Sequence, residues 1–177
     1  TAILGETGAG KTTMVRLILA LIQPTSGHVY IYNKEREQDI SPLTRCNLIY
    51  VPQGNTLLSG TIRDNLRMGR FNATDEEMMQ ALDKACAGFV RDIPGGLDAS
   101  CSEAGGGLSE GQAQRISIAR ALLREGSVMI FDEATSALDP ETERQLLANL
   151  LQERRQTIIF ITHRSAVVDY CDQVLRI

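Results

Sequence analysis

The stretch "GETGAGKTT" near the start of the chain sets Gly5, Gly10, Lys11 and Thr12 in the spacing G-x-x-x-x-G-K-[ST]. Those residue types together suit one chemistry, the grip on a polyphosphate. Glycine permits the dihedrals that turn successive backbone N–H groups inward, and a helix opening directly after the loop adds its N-terminal dipole. In that arrangement Lys11 reaches the β- and γ-phosphates and the Thr12 hydroxyl binds Mg²⁺.

Partners for such a loop stand at the ends of other apolar runs. Gln53 follows "NLIYV", Asp132 and Glu133 follow "SVMIF", and Thr162 and His163 follow "TIIFI". In an open α/β sheet ligands bind beyond the carboxyl ends of the strands, so these residues are expected on one rim with the loop. Asp132 is placed to hold Mg²⁺, directly or through water, Glu133 to polarise an attacking water, and His163 to contact the γ-phosphate. Taken singly they say little: two acids after a strand are as often a solvated turn, and a lone glutamine carries no signal.

The elements that must position these groups are legible in outline. Six short apolar runs, "TAIL", "HVYIY", "NLIYV", "SVMIF", "TIIFI" and "DQVLRI", read as buried strands. Helices are expected over Lys11 to Ile22, stopped by Pro24, over Pro140 to Gln152 with Asp139 as N-cap, and briefly near Ser165 to Tyr170. The alternation implies an α/β layer with a mostly parallel sheet. From Thr56 to Arg124 no strand is expected. There Thr74 and Glu77 form a capping box ahead of apolar Met78, Leu82 and Cys86, and a second helix starts at Ser109, paired with Gln112.

Bulk properties narrow the field. A chain of 177 residues with 43% hydrophobic content can bury one proper core. Its 18 basic and 22 acidic residues leave a net charge of −4, so no global cationic field draws it to nucleic acid or anionic lipid. The four cysteines have no C-x-x-C spacing and read as free thiols in a reducing cytosol. No apolar run nears the roughly 18 to 20 residues of a membrane span, and no signal peptide is evident.

With these residues in view, the chain resembles the ATP-binding cassette (ABC) ATPases, specifically the nucleotide-binding domains of exporter-like transporters. "GETGAGKTT" resembles their Walker A, "VPQ" their Q-loop, "LSEGQ" (Leu108 to Gln112) their signature, "VMIFDEATSALD" their Walker B and D-loop, and "ITHR" their H-loop. The resemblance implies a P-loop NTPase (RecA-like) core with a mostly parallel sheet, formed by residues 1–55 and 125–177. An inserted α-helical subdomain over residues 56–124 would carry the signature.

It further implies an ATP hydrolase with Lys11, Gln53, Glu133 and His163 as catalytic residues. ATP would lie along Gly5, Glu6, Thr7, Gly8, Ala9, Gly10, Lys11, Thr12 and Thr13, with Mg²⁺ held by Thr12, Gln53 and Asp132. Ser109, Gly111 and Gln112 would serve the ATP of a second nucleotide-binding domain, with Asp139 crossing between the two. Further implied are a transmembrane domain, on the same or another chain, and a place on the cytoplasmic face of the cell membrane, with no direct nucleic-acid contact. "LLSGTIRDNL", Glu103 and Gly105 resemble the exporter segments near the membrane partner. Leu57 and Leu58 are either core of the helical part or a docking surface.

The chain also departs from the family pattern. Glu110 replaces the first glycine of the signature, and its side chain is expected to point away from phosphate. "QGN" follows Gln53 in place of the more usual acidic residue and proline. "SEAGGG", before the signature, is expected to be mobile. The family's antiparallel strands and adenine-stacking aromatic would precede Thr1, and its later part would follow "VLRI", so the sequence reads as truncated at both ends. The alternative function is a soluble ABC-type ATPase acting in DNA repair or translation, disfavoured by the short 54–107 stretch and the acidic balance.

Overall fold

The computed structural model describes the chain except residues 7, 33–34, 102–106 and 153–155 and the side chain of Ser165. Thr7, Glu103 and Gly105, and the expectation for "SEAGGG", fall outside the described residues. At the centre is a five-stranded sheet in the order β4-β7-β8-β1-β9. Its strands are β1 (Ala2–Leu4), β4 (Leu48–Val51), β7 (Val128–Asp132), β8 (Thr157–Thr162) and β9 (Val174–Arg176). Every neighbouring pair is parallel, so all five strands end on one rim.

Alternation along the strands splits the core between the two sheet faces. Ile3, Leu48, Ile130 and Ile161 pack with Val15 and Leu19. That face is covered by helix α1 (Lys11–Ile18), which contributes Val15. On the other face Ile49, Val51, Met129, Phe131 and Phe160 join Leu146, Leu147 and Leu150 of α5 (Pro140–Gln152). Phe131 stacks on Phe160 there, with ring centroids 5.2 Å apart.

Between β4 and β7 the chain forms α2 (Ile62–Arg67), α3 (Asp75–Lys84) and α4 (Glu110–Leu122). Their starts follow from local chemistry. Thr61, Thr74 and Ser109 each accept a hydrogen bond from the amide three residues on, and Asp64, Glu77 and Gln112 return one. Among the described residues no helix is long and apolar enough to cross a membrane.

Several expectations are corrected. "HVYIY" is not a buried strand: β2 (Tyr30–Tyr32) pairs antiparallel with β3 (Glu37–Asp39), outside the main sheet. Tyr30 and Tyr32 are 48% and 74% exposed because they share the uncovered face of this hairpin, while Ile31 on the other packs against the core. The 56–124 stretch does contain strand, since β5 (Gly60–Thr61) pairs antiparallel with β6 (Ser100–Cys101). Helix α1 ends at Ile18, short of Ile22, with Ala20 at φ 50° turning the chain out of the helix. Ser165–Tyr170 winds as a 3₁₀ turn. Helix α2 was not foreseen, and Cys86 lies beyond the end of α3 at φ 56°. Leu57 is buried in the core whereas Leu58 is 53% exposed.

Candidate functional site

The glycine-rich loop runs from the end of β1 into α1. Gly10 is the residue before the helix, at φ 100°, and the first turn has neither a side-chain cap nor an acid. A left-handed residue at that point aims the following amides out of the helix end, and only glycine adopts it without strain. Gly8 has φ 90°, and a Cβ at either glycine would meet no atom within 4 Å, so the concavity is open. Lys11 folds back over the loop, its Nζ donating to the carbonyl oxygens of Gly5 at 2.7 Å and Glu6 at 2.8 Å. These oxygens stand where phosphate oxygens would compete for the ammonium. Glu6, Ala9, Thr12 and Thr13 are exposed around it.

The other strand ends bring their residues to the same rim. Glu133 directly follows β7 and has φ 49°, an uncommon conformation for any residue but glycine, held by a 2.8 Å hydrogen bond from its amide to the Ile161 carbonyl. Such strain of about 1–3 kcal/mol concentrates at sites where a side chain must be aimed. His163 follows β8, with Nδ1 3.7 Å from Glu133 Oε1. His163 also lines a cavity of about 500 Å³ with Gly5 and Glu6, which puts the glycine loop and the imidazole around one space. Gln53, two residues past β4, is exposed.

Asp132 ends β7, and its Oδ2 accepts a 2.9 Å hydrogen bond from the Tyr50 hydroxyl. Burial, then this hydrogen bond and the Asp132 charge, push the Tyr50 phenol up to about 12. The phenol therefore remains a neutral donor at ordinary pH. The donor set fits magnesium: Thr12, Gln53 and Asp132 supply oxygen only, and Mg²⁺ completes its shell with phosphate and water, without a full protein cage. Among the described residues no group of three or more His, Cys, Asp and Glu converges as a metal cage.

Ser109, Gly111 and Gln112 lie at the start of α4, on a separate element. The Ser109 amide donates to Gln112 Oε1 at 2.9 Å, and the Gln112 amide to Ser109 Oγ at 3.2 Å. Glu110 is exposed in the first turn. A Cβ on Gly111 would sit 2.9 Å from the Ala137 carbonyl oxygen, so this helix end lies flush against the segment leading to Asp139. Asp139 caps α5, accepting from the amides of Glu141 at 3.1 Å and Thr142 at 3.0 Å. Hydrogen bonds from the Thr142 side chain and amide hold its carboxyl below the usual range.

Sequence reasoning missed the groups that hold these parts together. Glu143 is 3% exposed and accepts from Thr135 Oγ1 at 2.5 Å and from Arg164 Nη1 at 2.9 Å. The same guanidinium donates to the carbonyls of Leu138 at 3.2 Å and Ser136 at 2.7 Å. Gln114, buried in α4, donates to the Pro52 carbonyl at 3.3 Å, and Arg120 donates to the Thr56 carbonyl at 3.0 Å. A polar residue on an otherwise apolar helix face, as at Gln114, is the signal that could have found one of them.

Comparison with known proteins settles the family. The sequence model described as ABC transporter matches residues 1–136. The chain belongs to the ABC transporter family. It is 42% identical over 98% of its length to the "Beta-(1-->2)glucan export ATP-binding/permease protein NdvA" of Agrobacterium vitis, covering 30% of that protein. It is 37% identical over 99% of its length to the mitochondrial "Iron-sulfur clusters transporter ATM1" of Saccharomyces cerevisiae, covering 26%. A solved structure, that of "a bacterial Atm1-family ABC exporter with ATP bound", superposes with a TM-score of 0.90 at 34% identity, over 99% of this chain and 31% of that one. This ABC-family chain thus spans about 30% of the length of the curated relatives it matches.

Proposed function

We propose that this ABC-family chain binds and hydrolyses ATP with Mg²⁺, and that hydrolysis drives export of a substrate across a membrane. The observation that carries the reading is the shared rim: four parallel strand ends deliver the glycine loop, Gln53, the Asp132–Glu133 pair and His163 to one edge. Loop amides and Lys11 take the phosphate oxygens, Lys11 exchanging its two carbonyl partners for them. Glu133 accepts a proton from the attacking water, and His163 donates to the γ-phosphate while facing Glu133 at 3.7 Å. Thr12, Gln53 and Asp132 would hold Mg²⁺, and the ion would supply positive charge to the phosphate oxygens.

The relatives' names as export and permease proteins support a transport role over DNA repair or translation. The working unit is two nucleotide-binding domains facing each other, Ser109, Gly111 and Gln112 of each meeting the ATP of the other and Asp139 lying between them. A transmembrane domain on the same or another chain completes the transporter and places this domain at the cytoplasmic face. Its cargo is set by that membrane part. Replacing Glu133 by Gln in the full-length protein tests the core of the reading. Phosphate release is expected to fall roughly 10²- to 10⁴-fold while ATP remains bound, and unchanged turnover would remove Glu133 from its role.

A further inference from the structure

The hydroxyl of Tyr50 occupies a position that neither the phosphate cradle nor the water-activating pair uses. In the β4–β7 ladder Tyr50 is opposite Ile130, so Tyr50, Ile130 and Asp132 share a sheet face. That is the face covered by α1, because Leu48 and Ile130 pack there with Val15 and Leu19. From its place one step back along the neighbouring strand, the phenol reaches forward to Asp132 Oδ2 at 2.9 Å. Arg16, one helical turn beyond Thr12 on α1, is close enough for its charge to act on the same phenol. Asp132, assigned above to the metal, is thus the group that the Tyr50 hydroxyl holds.

We propose that Tyr50 is a positioning residue for the magnesium site: its hydroxyl claims one oxygen of Asp132 and fixes the carboxylate, leaving the other oxygen for the ion and its water. This rests on the reading of Asp132 as the metal-holding acid. A neutral phenol suits the task better than a cation would, because it restrains the carboxylate through a hydrogen bond without cancelling its charge. Groups that orient metal-holding residues in this way commonly contribute about 10- to 100-fold to metal affinity or activity. Tyr50 also stands three residues ahead of Gln53, so one strand end sets both a metal-facing amide and the restraint on the acid across from it.

Tyr50→Phe removes the hydroxyl and keeps the ring, which separates positioning from packing. Mn²⁺, read by its electron paramagnetic resonance, replaces Mg²⁺ in a titration of the full-length protein at saturating ATP, with Glu133→Gln present throughout to prevent turnover. The expected result is a roughly 10-fold weaker Mn²⁺ dissociation constant in Tyr50→Phe, with unchanged thermal unfolding. In the protein with Glu133 intact, the Mg²⁺ concentration for half-maximal hydrolysis rises by a similar factor, and kcat at saturating Mg²⁺ changes less. Asp132→Asn in the same titration is expected to lose Mn²⁺ binding. Loss in Asp132→Asn with unaltered affinity in Tyr50→Phe overturns the role of Tyr50 and leaves the site reading standing. Retention of Mn²⁺ by Asp132→Asn overturns the assignment of Asp132 itself, and the role of Tyr50 with it.

Discussion

The two helix starts proposed above to meet phosphate are built differently. At α1 the helix begins on a left-handed glycine, which makes no side-chain cap, and has no acid in its first turn. At α4 Ser109 and Gln112 satisfy each other's backbone, and Glu110 stands in the first turn. Free amides at a helix start attract negative charge, whereas amides already capped offer less of it. The first end therefore offers its amides without any partner segment. The second contributes a surface that needs something opposite, which fits its proposed role toward a facing domain.

The largest expected effect attacks the α1 end. Lys11→Ala removes the ammonium that the loop carbonyls hold in readiness. Charge-assisted hydrogen bonds contribute about 1.5–3 kcal/mol each, so ATP affinity measured by titration calorimetry on the full-length protein should fall roughly 10²-fold or more. Equal affinity in the variant would show that the loop amides alone suffice and would erase the contrast with α4.

A middle effect separates the two ends by their glycines. Gly10 is required for its backbone angle, whereas Gly111 is required for space, with the Ala137 carbonyl 2.9 Å from where a Cβ would lie. Gly111→Ala should push α4 off the segment before Asp139 at a cost of about 1–3 kcal/mol, the usual range for overpacking. Hydrolysis should drop while ATP binding is retained, and calorimetry beside a turnover assay distinguishes the two. The smallest effect is that of Ser109→Ala, which loses the cap and about 1 kcal/mol of stability, seen as a lower Tm. Because Ser109 is proposed to meet the ATP of a facing domain, nucleotide affinity should fall far less than in Lys11→Ala; an equal loss would erase the contrast between the two helix starts.

The glycine loop and the capping boxes at Thr74 and Ser109 were legible because each depends on neighbours in sequence, whereas the box at Thr61, equally local, went unread. The same holds for Asp132, Glu133 and His163, which needed only a strand before them and the rule that parallel strands end on one side. What escaped notice depends on which strand lies beside which. Tyr50 meets Asp132 only because β4 is next to β7, an order that alternating runs do not reveal. The Arg164–Glu143 pair joins positions 21 residues apart across a buried pocket of backbone carbonyls, and nothing in its spacing announces it. "HVYIY" was misread for the converse reason. Its residues favour a strand, but exposure of its tyrosines is decided by what covers the hairpin.

That buried pair also has a mechanical consequence. Arg164 is bonded covalently to His163 and, through its guanidinium, to the carbonyls of Ser136 and Leu138. The backbone that carries the imidazole is therefore laced to the stretch running up to Asp139, with the buried carboxylate of Glu143 as their shared anchor.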